Sequence, residues 1–131
     1  MSLKVGFIGL GNMGKPMAIN LAEAGFSMAV LDLNPEPVAE LVALGAASAA
    51  TPRELAGVSD VVVSVVMNDR RTLQVLLEGD GDGVLAGARP GTLIIIASTV
   101  SVETCQVVAQ AAAGKDVQVI DAAVSGAAER S

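Results

Sequence analysis

Residues 5–14 constrain the fold more than any other stretch of this chain. An apolar run, Val5–Ile8, leads directly into "GLGNMG", and a helix-period segment follows over Met13–Ala24. The glycines at 9, 11 and 14 thus form G-x-G-x-x-G between a strand and a helix. Each has its own physical task. Gly9 allows a tight turn, Gly11 lets the backbone approach a ligand, and Gly14 lets the helix pack closely on the strand. The helix start then offers unbonded N–H groups and a partial positive charge, which together suit a pyrophosphate. A glycine-rich turn that binds nothing is the plain alternative. The strand–turn–helix context favours a dinucleotide, with Gly9, Leu10, Gly11, Asn12, Met13 and Gly14 as its contacts.

The rest of the chain repeats the alternation. Strand-like runs fall at Met28–Leu31, Asp60–Val66, Thr92–Ile96 and Val117–Ile120. Helix-period segments fall at Pro35–Leu44, Asp69–Leu77 and Ser101–Ala113, with a short helical turn at Thr51–Ala56. The run "DVVVSVV" is apolar on both faces, as a buried parallel strand is. Such alternation predicts an α/β fold of the Rossmann type: a doubly wound, mainly parallel sheet with helices on both faces. Residues 1–131 fit one dinucleotide-binding domain. The chain is 52% hydrophobic but only 2% aromatic, so Ala and Val fill the layers. Asn34 reads as a helix N-cap followed by Pro35 and Glu36, and Ser101 as another N-cap. Gly25, Gly45 and Gly114 sit where helices should stop, and Val102, Cys105, Val108 and Ala112 should share one helix face.

Asp32 ends the second strand, where a carboxylate accepts hydrogen bonds from the adenosine ribose. Asn34 fills the capping role, which leaves Asp32 free for the ribose, beside Leu33. A carboxylate there repels a 2′-phosphate, and no Arg follows until Arg53, so NAD is favoured over NADP. Val66, Met67 and Asn68 end a strand at the edge where open α/β sheets bind ligands, Ser98 and Thr99 end the next, and "VSG" at 124–126 follows the last. Together they outline a nicotinamide and substrate cleft.

Other features exclude functions. The chain has no histidine, which removes the commonest general base and metal ligand, and no metal site is expected. A net charge of −6 with few aromatics argues against nucleic acid. Apolar stretches are too short and too broken to span a membrane, and no secretory leader is visible. The single cysteine, Cys105, fits a reducing cytoplasm and reads as a buried helical residue. "GDGDG" at 79–83 reads as a surface loop, since a calcium loop would need further ligands. Arg70 and Arg71 read as a solvated helix start, with Arg71 within reach of the cleft, and Lys15 either touches phosphate or faces water.

These residues resemble a known family. "GFIGLGNMGKPMAINLAEAGF" is similar to the N-terminal signature of the β-hydroxyacid dehydrogenases, the group of 3-hydroxyisobutyrate, tartronate semialdehyde and L-threonate dehydrogenases, with 6-phosphogluconate dehydrogenase as a relative. "VVVSVVMND", "ASTVS" and "DAAVSGA" follow in the family's order. The resemblance implies an NAD-binding domain of an oxidoreductase that moves a hydride between a nicotinamide and a small β-hydroxy acid. It implies that Thr99 contacts the cofactor and that Ser125, Gly126 and Ala127 bind the substrate carboxylate. It also implies an all-helical catalytic and dimerisation domain beyond this chain, a homo-oligomer at full length, and a catalytic lysine in that later segment. None of Lys4, Lys15 and Lys115 matches that lysine's motif, so no catalytic residue is expected here and the chain alone should be inactive. Ala123 and Ala127 depart from the family's proline and second glycine. An imine-reductase-like NADP-dependent domain and a non-catalytic nucleotide-sensing or interaction domain are the alternative readings.

Overall fold

A computed structural model describes residues 3–66, 68–77, 83–97 and 100–122. Along the chain the elements are β1 (Lys4–Ile8), α1 (Gly14–Glu23), β2 (Ser27–Leu31), α2 (Pro35–Ala43), β3 (Ala47–Ser48), α3 (Pro52–Gly57), β4 (Val61–Ser64), α4 (Asp69–Leu76), α5 (Val84–Gly87), β5 (Leu93–Ile96), α6 (Val102–Ala113) and β6 (Gln118–Asp121). The strands form one sheet in the order β3-β2-β1-β4-β5-β6, with every neighbouring pair parallel. The chain therefore winds outward from β1 to β3, returns, and winds outward again from β4 to β6. The reversal between β1 and β4 is the switch point at which open α/β sheets leave a crevice.

Successive strand residues point to opposite faces, and both faces are covered. On one, Val5, Phe7, Met28 and Val30 pack with Ala18 of α1 and Leu41 of α2. On the other, Val62, Ile94 and Ile96 pack with Leu55 of α3, Leu76 of α4 and Val108 of α6. The expected doubly wound architecture is present, and the sheet is parallel throughout the described residues.

Helix starts follow the local chemistry. Asn34 Oδ1 accepts from the Glu36 N–H at 3.1 Å, and Ser101 Oγ from the Thr104 N–H at 3.2 Å. Gly25 and Gly45 take the left-handed conformation past α1 and α2, with φ of +97° and +107°. Past α6 that role falls elsewhere: Gly114 keeps φ −70°, and Asp116 turns left-handed at φ 58°. Asp tolerates this region better than most residues with a side chain.

Three further readings change. The strand expected over Asp60–Val66 pairs only over Val61–Ser64, because its partners β1 and β5 run out at Ile8 and Ile96 in register with Ser64. Val102 does not share the buried face of α6; it is 65% exposed at the helix's first position, and Thr104, Val108 and Ala112 make that face. Two short elements carry no local pattern. β3 is a two-residue edge strand paired with Ala29 and Val30. α5 buries Val84 and Leu85, and it lies so close to α3 that a Cβ on Gly87 would meet the Arg53 carbonyl.

Candidate dinucleotide-binding site

The turn from β1 to α1 crosses the carboxyl edge of the sheet beside β4. Gly9 has φ +98°, and its N–H donates to the Leu31 carbonyl of β2 at 3.0 Å. A Cβ at Gly9 would strike the Val65 carbonyl, and one at Gly14 would strike the Gly9 carbonyl. Packing alone thus requires both glycines. Gly11 is different. Its φ is not left-handed, and a Cβ built there meets no protein atom within 4 Å. Nothing among the described residues asks for glycine at 11, so the open space above it is where an external group would approach.

The start of α1 points the same way. Met13 at its N-cap makes no side-chain hydrogen bond, and no acid stands in its first turn. Gly11, Asn12 and Met13 are exposed. By contrast, α2, α3, α4 and α6 are capped by the side chains of Asn34, Thr51, Asn68 and Ser101, with Glu36, Glu54, Asp69 and Glu103 in their first turns; the four-residue α5 is also uncapped but is too short to carry a useful dipole. An uncapped N-terminus keeps its N–H groups and its positive end available for an anion.

Asp32 follows β2 and is half-buried. It is not free, as the sequence reading had it. Oδ1 accepts from the Leu10 N–H and Oδ2 from the Asn34 N–H, each at 2.9 Å. The carboxylate ties the glycine turn to the start of α2. Each oxygen still has a further lone pair for a ribose hydroxyl, so the two roles are compatible.

Two hollows flank this clamp. One, of about 230 Å³, opens over the ends of β1 and β2 and is walled by Leu33, Ala50, Pro52, Val66 and Val75, with Asp32, Arg71 and Gln74 as its polar groups. The other, of about 310 Å³, lies between the glycine turn and α2, beside Gly11, Asn12 and Asn34. Lys15 borders it and pairs with Glu40 at 2.9 Å instead of facing water alone.

The remaining expected residues are placed unevenly. Leu10 is 2% exposed, so its side chain belongs to the core while its backbone forms the turn. Val66 lines the apolar hollow. Asn68 caps α4, accepting from the Arg71 N–H at 2.9 Å. Met67, Ser98, Thr99, Ser125, Gly126 and Ala127 lie outside the described residues, as does "GDGDG" up to residue 82. Lys4 and Lys115 stand at the far, amino edge of the sheet, and Lys115 Nζ donates to the Leu85 carbonyl at 2.7 Å. Arg71 is a wall residue that the sequence marked only weakly and Gln74 one that it did not mark, since nothing local tells which face of α4 meets the crevice. Burial first, and then the charges of Asp121 and Asp69, pushes the Cys105 thiol up from its ordinary value, so Cys105 is not an activated nucleophile.

Fold and turn define a dinucleotide-binding domain of the Rossmann class. Residues 4–131 match the family described as the NAD binding domain of 6-phosphogluconate dehydrogenase. The chain is 40% identical over 125 residues to 2-(hydroxymethyl)glutarate dehydrogenase of Eubacterium barkeri, covering 95% of this chain and 41% of that protein. The crystal structure of 3-hydroxyisobutyrate dehydrogenase from Salmonella typhimurium superposes with a TM-score of 0.82 at 38% identity, over 90% of this chain and 40% of that one. An imine reductase from Pseudomonas sp. superposes with a TM-score of 0.81 at 25% identity, over 92% of this chain and 41% of that one. The chain belongs to this family of NAD-binding domains, in its β-hydroxyacid dehydrogenase group. It spans about two fifths of the length of the relatives it matches. Among the described residues no helix is long and apolar enough to cross a membrane, and no group of three or more His, Cys, Asp or Glu could hold a metal ion.

Proposed function

We propose that this chain is the cofactor shelf of an oxidoreductase acting on a small β-hydroxy acid. The observation that carries this reading is the α1 start: uncapped, without an acid, and fronted by a Gly11 that packing does not require. Gly11, Asn12, Met13 and Gly14 would hold the pyrophosphate on backbone N–H groups. Asp32 would accept from the adenosine ribose while it holds the turn. Leu33 and Val66 would flank the adenosine, and Met67, Asn68 and Thr99 the nicotinamide half. Ser125, Gly126 and Ala127 would bind the substrate carboxylate. NAD, when bound, supplies the hydride acceptor. The contribution of this chain is to bind and orient it.

No described lysine is set for proton transfer at the crevice: Lys15 is paired with Glu40, and Lys4 and Lys115 are at the other edge. We therefore expect these 131 residues to bind dinucleotide without turnover, in a cytoplasmic protein that is a homo-oligomer when whole. NAD is favoured over NADP, because Glu36 and Glu40 add negative charge beside Asp32 and the nearby Lys15 is already paired.

Calorimetric titration of this chain with NAD and NADP, each against wild type and Asp32→Ala, tests the reading. Tighter binding of NAD, weakened at least tenfold by Asp32→Ala, supports it. A well-folded chain that binds neither nucleotide would overturn it. Substrate profiling with the intact protein separates hydroxy acids from the imines that the reductase fold-mates take.

A further inference from the structure

We propose that Asp69 is a positioning residue for the nicotinamide half of the dinucleotide, acting through the link between β5 and α6. The inference rests on the NAD reading above, in which Thr99 of that link meets the nicotinamide half, and it adds the group that holds the link in place. Asp32 marks the adenosine side, at the ends of β1 and β2. A dinucleotide laid across the switch point then has its other half over the carboxyl ends of β4 and β5.

One device serves both sides. Asp32, after β2, accepts from the Leu10 N–H, after β1, at 2.9 Å. Asp69, after β4, accepts on Oδ1 from the Ser101 N–H, after β5, also at 2.9 Å. Each carboxylate joins the turns that follow two neighbouring parallel strands. Asp69 and Ser101 are both half-buried. The Ser101 N–H finds no acceptor in its own helix. A capping box would take the N-cap N–H with a Glu or Gln at the third helical position. That position is Thr104, whose Oγ1 accepts from Ser101 Oγ at 3.1 Å, and Glu103 one place earlier is exposed. Asp69 supplies the missing acceptor from another element.

The other end of the link is tied to the same strand. The Ala97 N–H donates to the Ser64 carbonyl of β4 at 2.9 Å. Residues 97–100 are therefore fastened at both ends to β4 and the helix start after it. One fastening is a backbone pair and the other is a single carboxylate. Asp69 lines neither of the two hollows beside the glycine turn, so it acts through the link and not by touching the ligand. A binding group on a short link keeps its place only while both ends of the link are held.

Calorimetry with NAD and ADP-ribose on wild type, Asp69→Ala, Asp69→Ser and Asp69→Asn tests the assignment, with thermal melts to confirm folding. Asp60→Ala is the matched control, because Asp60 also accepts a backbone N–H, from Lys4 at 2.9 Å, but at the amino edge of the sheet. Ala and Ser at 69 stop short of the Ser101 N–H, and should weaken NAD about fivefold or more. ADP-ribose, which has no nicotinamide, should stay within about twofold of wild type. Asp69→Asn keeps an acceptor oxygen and should restore most of the NAD affinity. Asp60→Ala should lower the melting temperature and leave both ligands unchanged. Folded Asp69→Ala or Asp69→Ser that binds NAD like wild type would overturn the assignment while leaving the cofactor reading intact. Equal losses of NAD and ADP-ribose, or an Asp69→Asn no better than Asp69→Ala, would also overturn it. Wild type that binds no NAD removes the cofactor reading and this assignment together.

Discussion

The starts of α1 and α4 sit side by side at the same edge of the sheet, after neighbouring strands, yet they are finished in opposite ways. α4 closes itself. Asn68 accepts from the Arg71 N–H at 2.9 Å, and Asp69 adds an acid whose Oδ1 also accepts from the Ser101 N–H at 2.9 Å. α1 has neither cap nor acid, and two of its glycines are demanded by packing while Gly11 is not. An uncapped start on a helix of this length leaves N–H groups and a positive end that suit an anion from outside. The difference separates residues that build the turn from residues that receive the ligand, and mutations can test the separation.

The largest effect should come from Gly14→Ala. Its Cβ would press on the Gly9 carbonyl, and neither backbone segment can yield cheaply. A loss of about 3 kcal/mol or more is expected in denaturant unfolding, with nucleotide binding lost in proportion. Gly11→Ala should do the reverse. Its Cβ enters open space, so the melting temperature should stay within about 2 °C, while NAD affinity falls about tenfold or more. A Gly11→Ala protein that binds NAD normally would break the comparison at its centre.

Capping variants give a smaller, matched pair. Asn68→Ala removes a helix cap and should destabilise by about 1 kcal/mol. Met13→Asp places an acid at the open start of α1, where it should stabilise the free domain by roughly 0.3–1 kcal/mol while weakening NAD through charge repulsion. Opposite signs for stability and affinity at residue 13, measured by melting and calorimetry, would sharpen the contrast. Equal signs would show that α1 is not an anion receptor.

The smallest effect concerns Cys105. Its thiol is raised chiefly by burial, then by Asp121 and Asp69, so the folded state keeps the proton to higher pH than the unfolded chain does. Its contribution to stability is present below the unfolded thiol's pKa and is lost as pH rises through the folded value. Alkylation of folded protein should therefore show a pH–rate midpoint above that of the urea-unfolded chain, and Cys105→Ser should flatten the alkaline part of the stability profile. Coincident midpoints would contradict the burial account.

Much of this was legible locally. Strand-to-glycine-to-helix at 5–14 and the caps at Asn34 and Ser101 depend on residues within a few positions of each other, and they stand as read. β3 and α5 were not legible, because two residues paired only to β2, and four residues held against α3, owe their shape to distant partners. The candidate site divides likewise. The glycine turn was visible, whereas the wall made by Arg71, Gln74, Ala50 and Pro52 comes from segments that converge only when β4 returns to pair with β1. The sequence by itself determined the class of fold, the cofactor-type turn and the acid after the second strand, since short-range sterics and hydrogen bonding set these. Only the tertiary structure decided that Asp32 clamps Leu10 and Asn34, that Gly11 faces open space, and that Lys15 is held by Glu40. Those depend on which backbone N–H groups and charges the long-range packing of β1, β2 and α2 brings within bonding distance.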